Sequence, residues 1–220
     1  MKKALTIGEL LITMGIIGVI AMLTLPGFIQ DYHKRVYTTK LKKTVEMIEN
    51  AVNQACIDNN VSYFYQTPYV KVATAEANKN FLRKYFKLAS TQTTKPFAST
   101  YRTLNSNEDR ALGLNDSSHA YAKLVGGEAV SFLCFNSPSL ACVFRVDINS
   151  TDGPNIGGRD FFSIYINPMT NELYDTGNPA LCGGKAKTND EKVDAANNAR
   201  AEYGEGCFAR LLQDNWEMNY

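Results

Sequence analysis

Residues 10–29 read LLITMGIIGVIAMLTLPGFI, an apolar run without a charged side chain. An α-helix of about 20 such residues is long enough to cross the hydrocarbon core of a bilayer. Glu9 lies directly before the run, and a carboxylate carried to mid-membrane costs about 2.5–3.5 kcal/mol on insertion scales unless another group pairs with it. The sequence therefore predicts a membrane-spanning helix with Glu9 as a functional residue at its edge.

Two simple interpretations leave part of this N-terminus unexplained. A secretory signal peptide would use Lys2 and Lys3 as its basic region, but the segment MLTLPGFIQDY after Ala21 has no small-x-small cleavage site. A plain signal anchor accounts for the apolar run but gives no reason for the glutamate before it or for the Pro-Gly pair near its end. A third interpretation takes the whole N-terminus together.

The string MKKALTIGELLITMGIIGVIAMLTLP, residues 1–26, resembles the N-terminus of the type IV pilin superfamily, which includes the pseudopilins of type II secretion. In that family prepilin peptidase removes a short basic leader just before a hydrophobic residue, and the fifth residue of the mature chain is a glutamate. The resemblance places the cut between Ala4 and Leu5 and makes Glu9 the fifth mature residue. The proline that many pilins carry at the twenty-second mature position falls on Pro26 in the same register.

The chain departs from the family pattern at two positions. Ala4 stands where glycine usually precedes the cut, and Gly8 stands where a bulky aliphatic residue usually precedes the glutamate. The motif match covers about the first thirty residues.

The resemblance gives Leu5 and Glu9 their roles, and residue spacing and chemistry suggest roles for the glycines and the proline. The amino group of Leu5, methylated after the cut, would keep a positive charge that Glu9 neutralises within one subunit or between neighbours. Gly15 and Gly18 lie three residues apart and would let neighbouring helices approach closely, although glycine is also simply common in membrane helices. Pro26 removes one backbone hydrogen bond, so a kink or a melted stretch is expected there.

The resemblance also implies a location and a set of partners. Residues 1–4 would be the leader, 5–29 the transmembrane and assembly helix, and 30–220 a pilin-like head. The chain would span a bacterial inner membrane with its head in the periplasm and then join a pilus or pseudopilus. Its partners would be prepilin peptidase, other pilin subunits or copies of itself, and an inner-membrane assembly platform.

Charge counting alone gives a different orientation. The basic residues after the span outnumber the two lysines before it, which by the positive-inside rule would place the head in the cytoplasm. The orientation of the family and the cysteine content of the head favour the opposite arrangement. The basic residues concerned are Lys34, Arg35, Lys40, Lys42 and Lys43.

Composition and periodicity predict an α+β head. With 23 Lys+Arg against 22 Asp+Glu in 220 residues, the charge gives no indication of a nucleic-acid partner. An apolar stripe from Leu41 to Ala55, at steps of four and three, predicts that the first helix continues to about Asn59. A second helix is predicted from about Thr74 to Ala89, after an aromatic-rich loop.

The second half of the chain carries strand patterns joined by short connections. The resemblance to pilins implies that these segments form an antiparallel sheet of about four strands, packed on the long helix. The segment 90–118, rich in Thr, Ser, Asn and Asp, is predicted to run over the surface. The strand patterns lie at Tyr121–Val125, Ala129–Phe135, Cys142–Ile148, Phe161–Ile166 and Glu172–Tyr174.

Five cysteines lack the paired CxxC spacing of a zinc site. Cys134 and Cys142 flank a short hairpin loop, which predicts a disulfide between them. A disulfide between Cys182 and Cys207, closing a C-terminal loop, is expected because pilin heads often close theirs in this way. Cys56, on the stripe of the long helix, remains as a buried thiol.

The turn segment DINSTDGPNIGGRD, residues 147–160, concentrates side-chain oxygens. Asp147, Asn149, Asp152 and Asn155 are weak candidates for a calcium site. The spacing is not that of an EF-hand, so an Asx-rich turn is favoured. No other cofactor is predicted.

These observations predict a structural subunit of a type IV pilus-like or type II secretion pseudopilus filament. One alternative is a minor pilin whose head binds a partner at the fibre tip. Another is an ectodomain held by a permanent anchor. An enzyme is not predicted, because the only histidines are His33 and His119, and the string Asp-Ser-Ser-His at residues 116–119 cannot form a catalytic triad from adjacent positions.

Overall fold

The computed structural model of the chain describes residues 6–90, 95–104, 110–111, 114, 119–135, 142–167, 169–177, 179, 182 and 204–220. The chain divides into two compact units, Met1–Val36 and Tyr37–Tyr220. The first is described by a single helix. The second, called the head below, contains helices and a sheet and is therefore α+β, as predicted.

The elements are numbered in chain order over these residues. The helices are α1 (Ile7–Asp58), α2 (Pro68–Val72), α3 (Ala75–Tyr85) and α4 (Cys207–Gln213), with a 3-10 helix at Phe64–Gln66. The strands are β1 (Leu88–Ser90), β2 (Thr100–Thr103), β3 (Arg110–Ala111), β4 (Ala120–Leu124), β5 (Ala129–Cys134), β6 (Cys142–Asp147), β7 (Ile156–Gly157), β8 (Phe161–Ile166) and β9 (Leu173–Tyr174).

Helix α1 is 52 residues long and continues without a break through Pro26. Of the two expected outcomes at this proline, the melted stretch is therefore wrong, and the kink stays a prediction. Proline lacks one N–H and its ring crowds the carbonyl four residues earlier, but the residues on either side of Pro26 keep helical geometry. The C-terminal limit at Asp58 agrees with the prediction from the apolar stripe.

The N-terminal part of α1 is long and apolar enough to cross a membrane, by length and composition, and it is the single helix of the described residues that meets this test. None of the residues in its most apolar stretch is buried. Large apolar side chains are exposed around its whole circumference, among them Leu11, Ile12, Ile16, Ile17, Met22, Leu23 and Phe28.

The sheet has nine strands within the described residues, in the order β1-β4-β5-β6-β8-β7-β2-β3, with β9 also paired to β8. Its centre is the predicted antiparallel meander β4-β5-β6-β8. The prediction of about four strands, all antiparallel, is wrong at the edge. There the two-residue strand β7 pairs in parallel with both β2 and β8.

The predicted surface segment 90–118 also contributes to the structure of the head. It contains β2 and β3, and the side chains of Phe97, Tyr101 and Leu114 are buried. Two of these rings pack on Phe161 in a second, smaller core. Isolated apolar residues among polar ones give no periodic pattern, so this packing is tertiary and leaves no local trace in the sequence.

The main core joins α1 to one face of the meander. The whole predicted stripe of α1 is buried and clusters with aromatic side chains of the strands and of α3. Phe81 of α3 lies at the centre, with ring centroids 4.5 Å from Phe132 of β5. Phe132 in turn lies 4.5 Å from Phe144 of β6. Large aromatic area buried in this way is a strong source of stability.

Helix α3 begins one residue after the predicted start at Thr74 and ends earlier than the predicted Ala89. The side chain of Thr74 caps the helix by accepting a hydrogen bond from the N–H of Ala77. The helix ends at Tyr85 because Leu88 and Ser90 are drawn into strand β1, which pairs with β4. Tertiary pairing overrides the local preference of this short segment.

Candidate functional site

Glu9 lies in the first turn of α1 and forms a capping box with Thr6. The N–H of Thr6 donates to Oε2 of Glu9 at 2.9 Å, and the N–H of Glu9 donates to Oγ1 of Thr6 at 3.2 Å. The Thr6 hydroxyl donates to the same carboxylate oxygen at 2.9 Å. Two backbone N–H groups that a helix start leaves unpaired are thereby satisfied. The carboxylate thus has a structural role that is independent of any neighbouring molecule.

The glycines of α1 lie on open surface. A Cβ atom added to Gly15 or Gly18 would meet no other heavy atom within 4 Å outside the helix itself. The same is true of Gly8 and Gly27. A neighbouring helix could therefore approach the backbone of α1 closely at these positions. The predicted cleavage and methylation residues, Ala4 and Leu5, lie outside the described residues.

Both predicted disulfides are present in the head. Cys134 and Cys142 are directly opposite each other at the ends of β5 and β6 and are bonded. Cys182 is bonded to Cys207, the first residue of α4. Cys56 is the free cysteine, buried in α1, and burial raises the pKa of its thiol.

The N-terminal end of helix α4 is held against the rest of the head. The carboxylate of Asp175 accepts hydrogen bonds from the backbone N–H groups of Phe208 at 3.1 Å and Ala209 at 3.3 Å. Gly158 lies against the Cys207 sulfur, and with φ of 84° it has neither the space nor the backbone conformation for a side chain. The disulfide, the carboxylate and the glycine together define where the C-terminal helix attaches.

The predicted turn residues form a local hydrogen-bond network. The N–H of Asn149 donates to Oδ1 of Asp147 at 3.1 Å, and its side-chain amide donates to the carbonyl of Gly153 at 2.7 Å. The Tyr101 hydroxyl donates to the other oxygen of Asp147. Asp152 is exposed. This arrangement is the Asx-rich turn favoured by the sequence.

A second buried carboxylate, which the sequence did not single out, lies in the same network. Asp160 accepts the N–H of Asn155 at 2.8 Å and that of Ile156 at 2.6 Å. Both Asp147 and Asp160 are fully buried. Burial raises the pKa of Asp147 to about 8, and the negative charge of Asp160 acts in the same direction. Burial also raises the pKa of Asp160 above its usual range.

The arrangement of these residues does not by itself make a metal centre. Within the described ranges, no group of three or more His, Cys, Asp and Glu side chains could hold a metal ion. The predicted candidates Asp147, Asn149 and Asn155 lie around the same turn. The buried carboxylates of this turn already accept hydrogen bonds from backbone N–H groups. Calcium at this turn remains a prediction of the sequence.

The histidine of the Asp-Ser-Ser-His string is part of the packing of the sheet. His119 is 5% exposed, its Nε2 lies 3.1 Å from a guanidinium nitrogen of Arg145, and its ring stacks on Tyr121. Residues 116–118, the other members of the string, lie outside the described residues.

Sequence reasoning missed three residues of these sites, for different reasons. Thr6 is recognisable in the sequence, because Thr-x-x-Glu before an apolar run is the pattern of a capping box. Tyr101 and Asp160 carry no comparable pattern. Both side chains reach the same turn because the fold brings together strands that are distant in sequence.

A scan of the chain against protein-family models, a search of curated proteins and a search of solved structures each found no match.

Proposed function

We propose that the chain is a prepilin-type structural subunit that is cut after Ala4, methylated at Leu5 and assembled into a filament through helix α1. The observation that carries the proposal is Glu9 at the start of an apolar stretch in which no residue is buried. Such a stretch needs lipid or neighbouring helices to cover it. In the proposed assembly, membrane lipid covers the stretch first, and helices of neighbouring subunits cover it in the filament.

The state of the chain before and after the proposed cut is compatible with the capping box. Removal of residues 1–4 would leave Thr6 as the second residue, so both partners of the box would stay in the mature chain. The new amino group on Leu5 would lie one residue before the Thr6 N–H that Glu9 accepts. A positive charge near this carboxylate would be attracted to it.

The disulfides support an extracytoplasmic location for the head. Disulfides persist in oxidising compartments such as the bacterial periplasm and are rare in the cytosol. Two of them in one head favour the orientation expected for pilins over the one given by charge counting. The basic side chains that follow the span would then rest on lipid headgroups or on acidic neighbours.

Processing tests the proposal directly. The intact mass and N-terminal sequence are measured on protein recovered from membranes that contain or lack prepilin peptidase. The expected result is a mature chain beginning with methylated Leu5 only where the peptidase is present. A chain that begins with Met1 in both membranes would contradict the proposal and favour an ectodomain on a permanent anchor.

A further inference from the structure

A groove on the head has a floor that combines apolar side chains with a carboxylate. The groove has a volume of about 1070 Å³ and lies between α1, the end of α3 and the turn that joins β4 to β5. Its apolar floor is formed by Ala51, Phe86 and Leu124, which are 3%, 7% and 2% exposed. On its rim, Ile57 and Val125 are about 70% and 69% exposed.

The carboxylate of the groove is that of Glu128, which is only 2% exposed. Its Oε2 atom is buried and accepts no hydrogen bond from the residues that the structure describes. The side chain folds back over Gly126, where it occupies the place that a Cβ atom would take. The turn is closed by a backbone hydrogen bond of 2.8 Å from the N–H of Leu124 to the carbonyl of Glu128. A buried carboxylate oxygen without a donor is unfavourable, so a donor supplied from outside would be bound selectively.

Three lysines line the groove, and none of them forms an ion pair with Glu128 among the described contacts. Lys43, Lys84 and Lys87 all line it and are exposed. Lys84 is held by Asp58, with 2.6 Å between its Nζ and the carboxylate oxygen. A ligand therefore meets a buried negative group at the centre and positive groups at the rim.

We propose that this groove docks an extended segment of another protein, in which one arginine or lysine is flanked by apolar and then acidic residues. The basic side chain donates to Glu128, because charge-assisted hydrogen bonds to a carboxylate are among the strongest. Its apolar neighbours cover Ile57 and Val125, and the acidic residues face the rim lysines. The inference concerns the head alone and stands whether or not α1 assembles into a filament.

A pair of synthetic peptides tests the inference with the full chain in detergent micelles. The first is a fluorescein-labelled nonapeptide with a central arginine, leucine and valine on either side, and glutamates at both ends. The second carries citrulline, a neutral isostere, in place of the arginine. Fluorescence polarisation is expected to give at least about tenfold tighter binding of the arginine peptide.

Three variants locate the binding. Glu128→Gln keeps the shape of the floor but removes the charge, so it is expected to abolish the preference for arginine over citrulline. Gly126→Ala places a methyl group where the carboxylate lies and should weaken binding of the arginine peptide without removing the charge. Glu49→Gln, at an exposed position of α1 outside the groove, is the control and should bind as the wild type does. Melting temperatures show which variants are folded. If Glu128→Gln is not folded, the inference is decided by the preference of the wild type for the arginine peptide and by the binding of that peptide to Gly126→Ala.

Several outcomes would overturn the inference. These are equal affinity of the wild type for the two peptides, unchanged preference in folded Glu128→Gln, or no saturable binding up to about 1 mM. Sedimentation of the free protein provides a separate check. A concentration-dependent dimer that Glu128→Gln dissociates would assign the groove to a second copy of the chain and overturn the choice of a foreign segment.

Discussion

Glu9 combines two properties that a single substitution can separate. Its negative charge is what the proposed pairing with a positive N-terminal amine depends on. Its carboxylate oxygen also closes the capping box with Thr6. Glutamine closes a capping box as glutamate does but carries no charge.

Filament assembly is therefore expected to fail equally in Glu9→Gln and Glu9→Ala. Neighbouring helices would enclose the proposed ion pair in the filament, so loss of the charge is expected to affect assembly more than loss of the helix cap does. The amount of each variant in sheared filaments is compared with its amount in the membrane, with Thr6→Val as the variant that weakens only the cap. Assembly of Glu9→Gln at the wild-type level would mean that the residue acts through the cap and not through its charge.

Asp147 makes the stability of the head depend on pH. Its pKa is about 8 in the folded chain because of burial, against about 4 in an unfolded chain. Between these values the folded state holds a proton that the unfolded state has released. The free energy of unfolding should therefore fall as pH rises from about 4 to about 8, by at most about 1.4 kcal/mol per pH unit for this group.

Asp147→Asn should reduce this dependence, because the amide does not titrate, while Asp160 keeps its own contribution. Urea unfolding at several pH values is followed by the fluorescence of Trp216, the single tryptophan, which packs on Phe208 in the head. Asp152→Asn, at an exposed position of the same turn, is the matched control and should leave the slope unchanged. An equal slope in wild type and Asp147→Asn would show that this carboxylate is not the titrating group.

At the scale of elements, periodic patterns in the sequence were sufficient where an element packs along its whole length. The stripe of α1 and the strands β4, β5, β6 and β8 lie within one or two residues of their predicted positions. Their apolar residues recur at the period of the element because one whole face contacts the core. The Cys134–Cys142 disulfide could also be predicted, because the two residues flank a single hairpin loop.

Elements whose formation depends on a distant partner could not be predicted. Strand β7 has two residues, Ile156 and Gly157, and exists because β2 and β8 lie on either side of it. The groove on the head escaped prediction for the same reason. Glu128 looks like an ordinary turn residue in the sequence, and only the packing of α1 and α3 around that turn buries it.

At the scale of the whole molecule, every buried apolar residue among those that the structure describes lies in the head. The first buried apolar residue in the described chain is Leu41, and the unit begins at Tyr37. Removal of residues 1–36 should therefore leave a head that is soluble without detergent, folds, and unfolds cooperatively on heating.

A deeper truncation provides the control for this prediction. Removal of residues 1–47 also takes away Leu41 and Val45, which are 0% and 4% exposed. Loss of one large core side chain costs about 2–5 kcal/mol, so this version should melt at a much lower temperature or fail to fold. Calorimetry distinguishes the two truncations. Insolubility of the head without residues 1–36 would show that the helix supports it.

The burial of Cys56 in α1 also limits the order in which the head can oxidise. Five cysteines that form two disulfides have about fifteen possible pairings, and removal of one cysteine leaves about three. The raised pKa of the Cys56 thiol and its burial keep it out of thiol–disulfide exchange once α1 has packed. Pairing of β5 with β6 then brings Cys134 next to Cys142, and a single combination is left for the remaining two. A head that folds before it oxidises thus needs no isomerase to correct its disulfides.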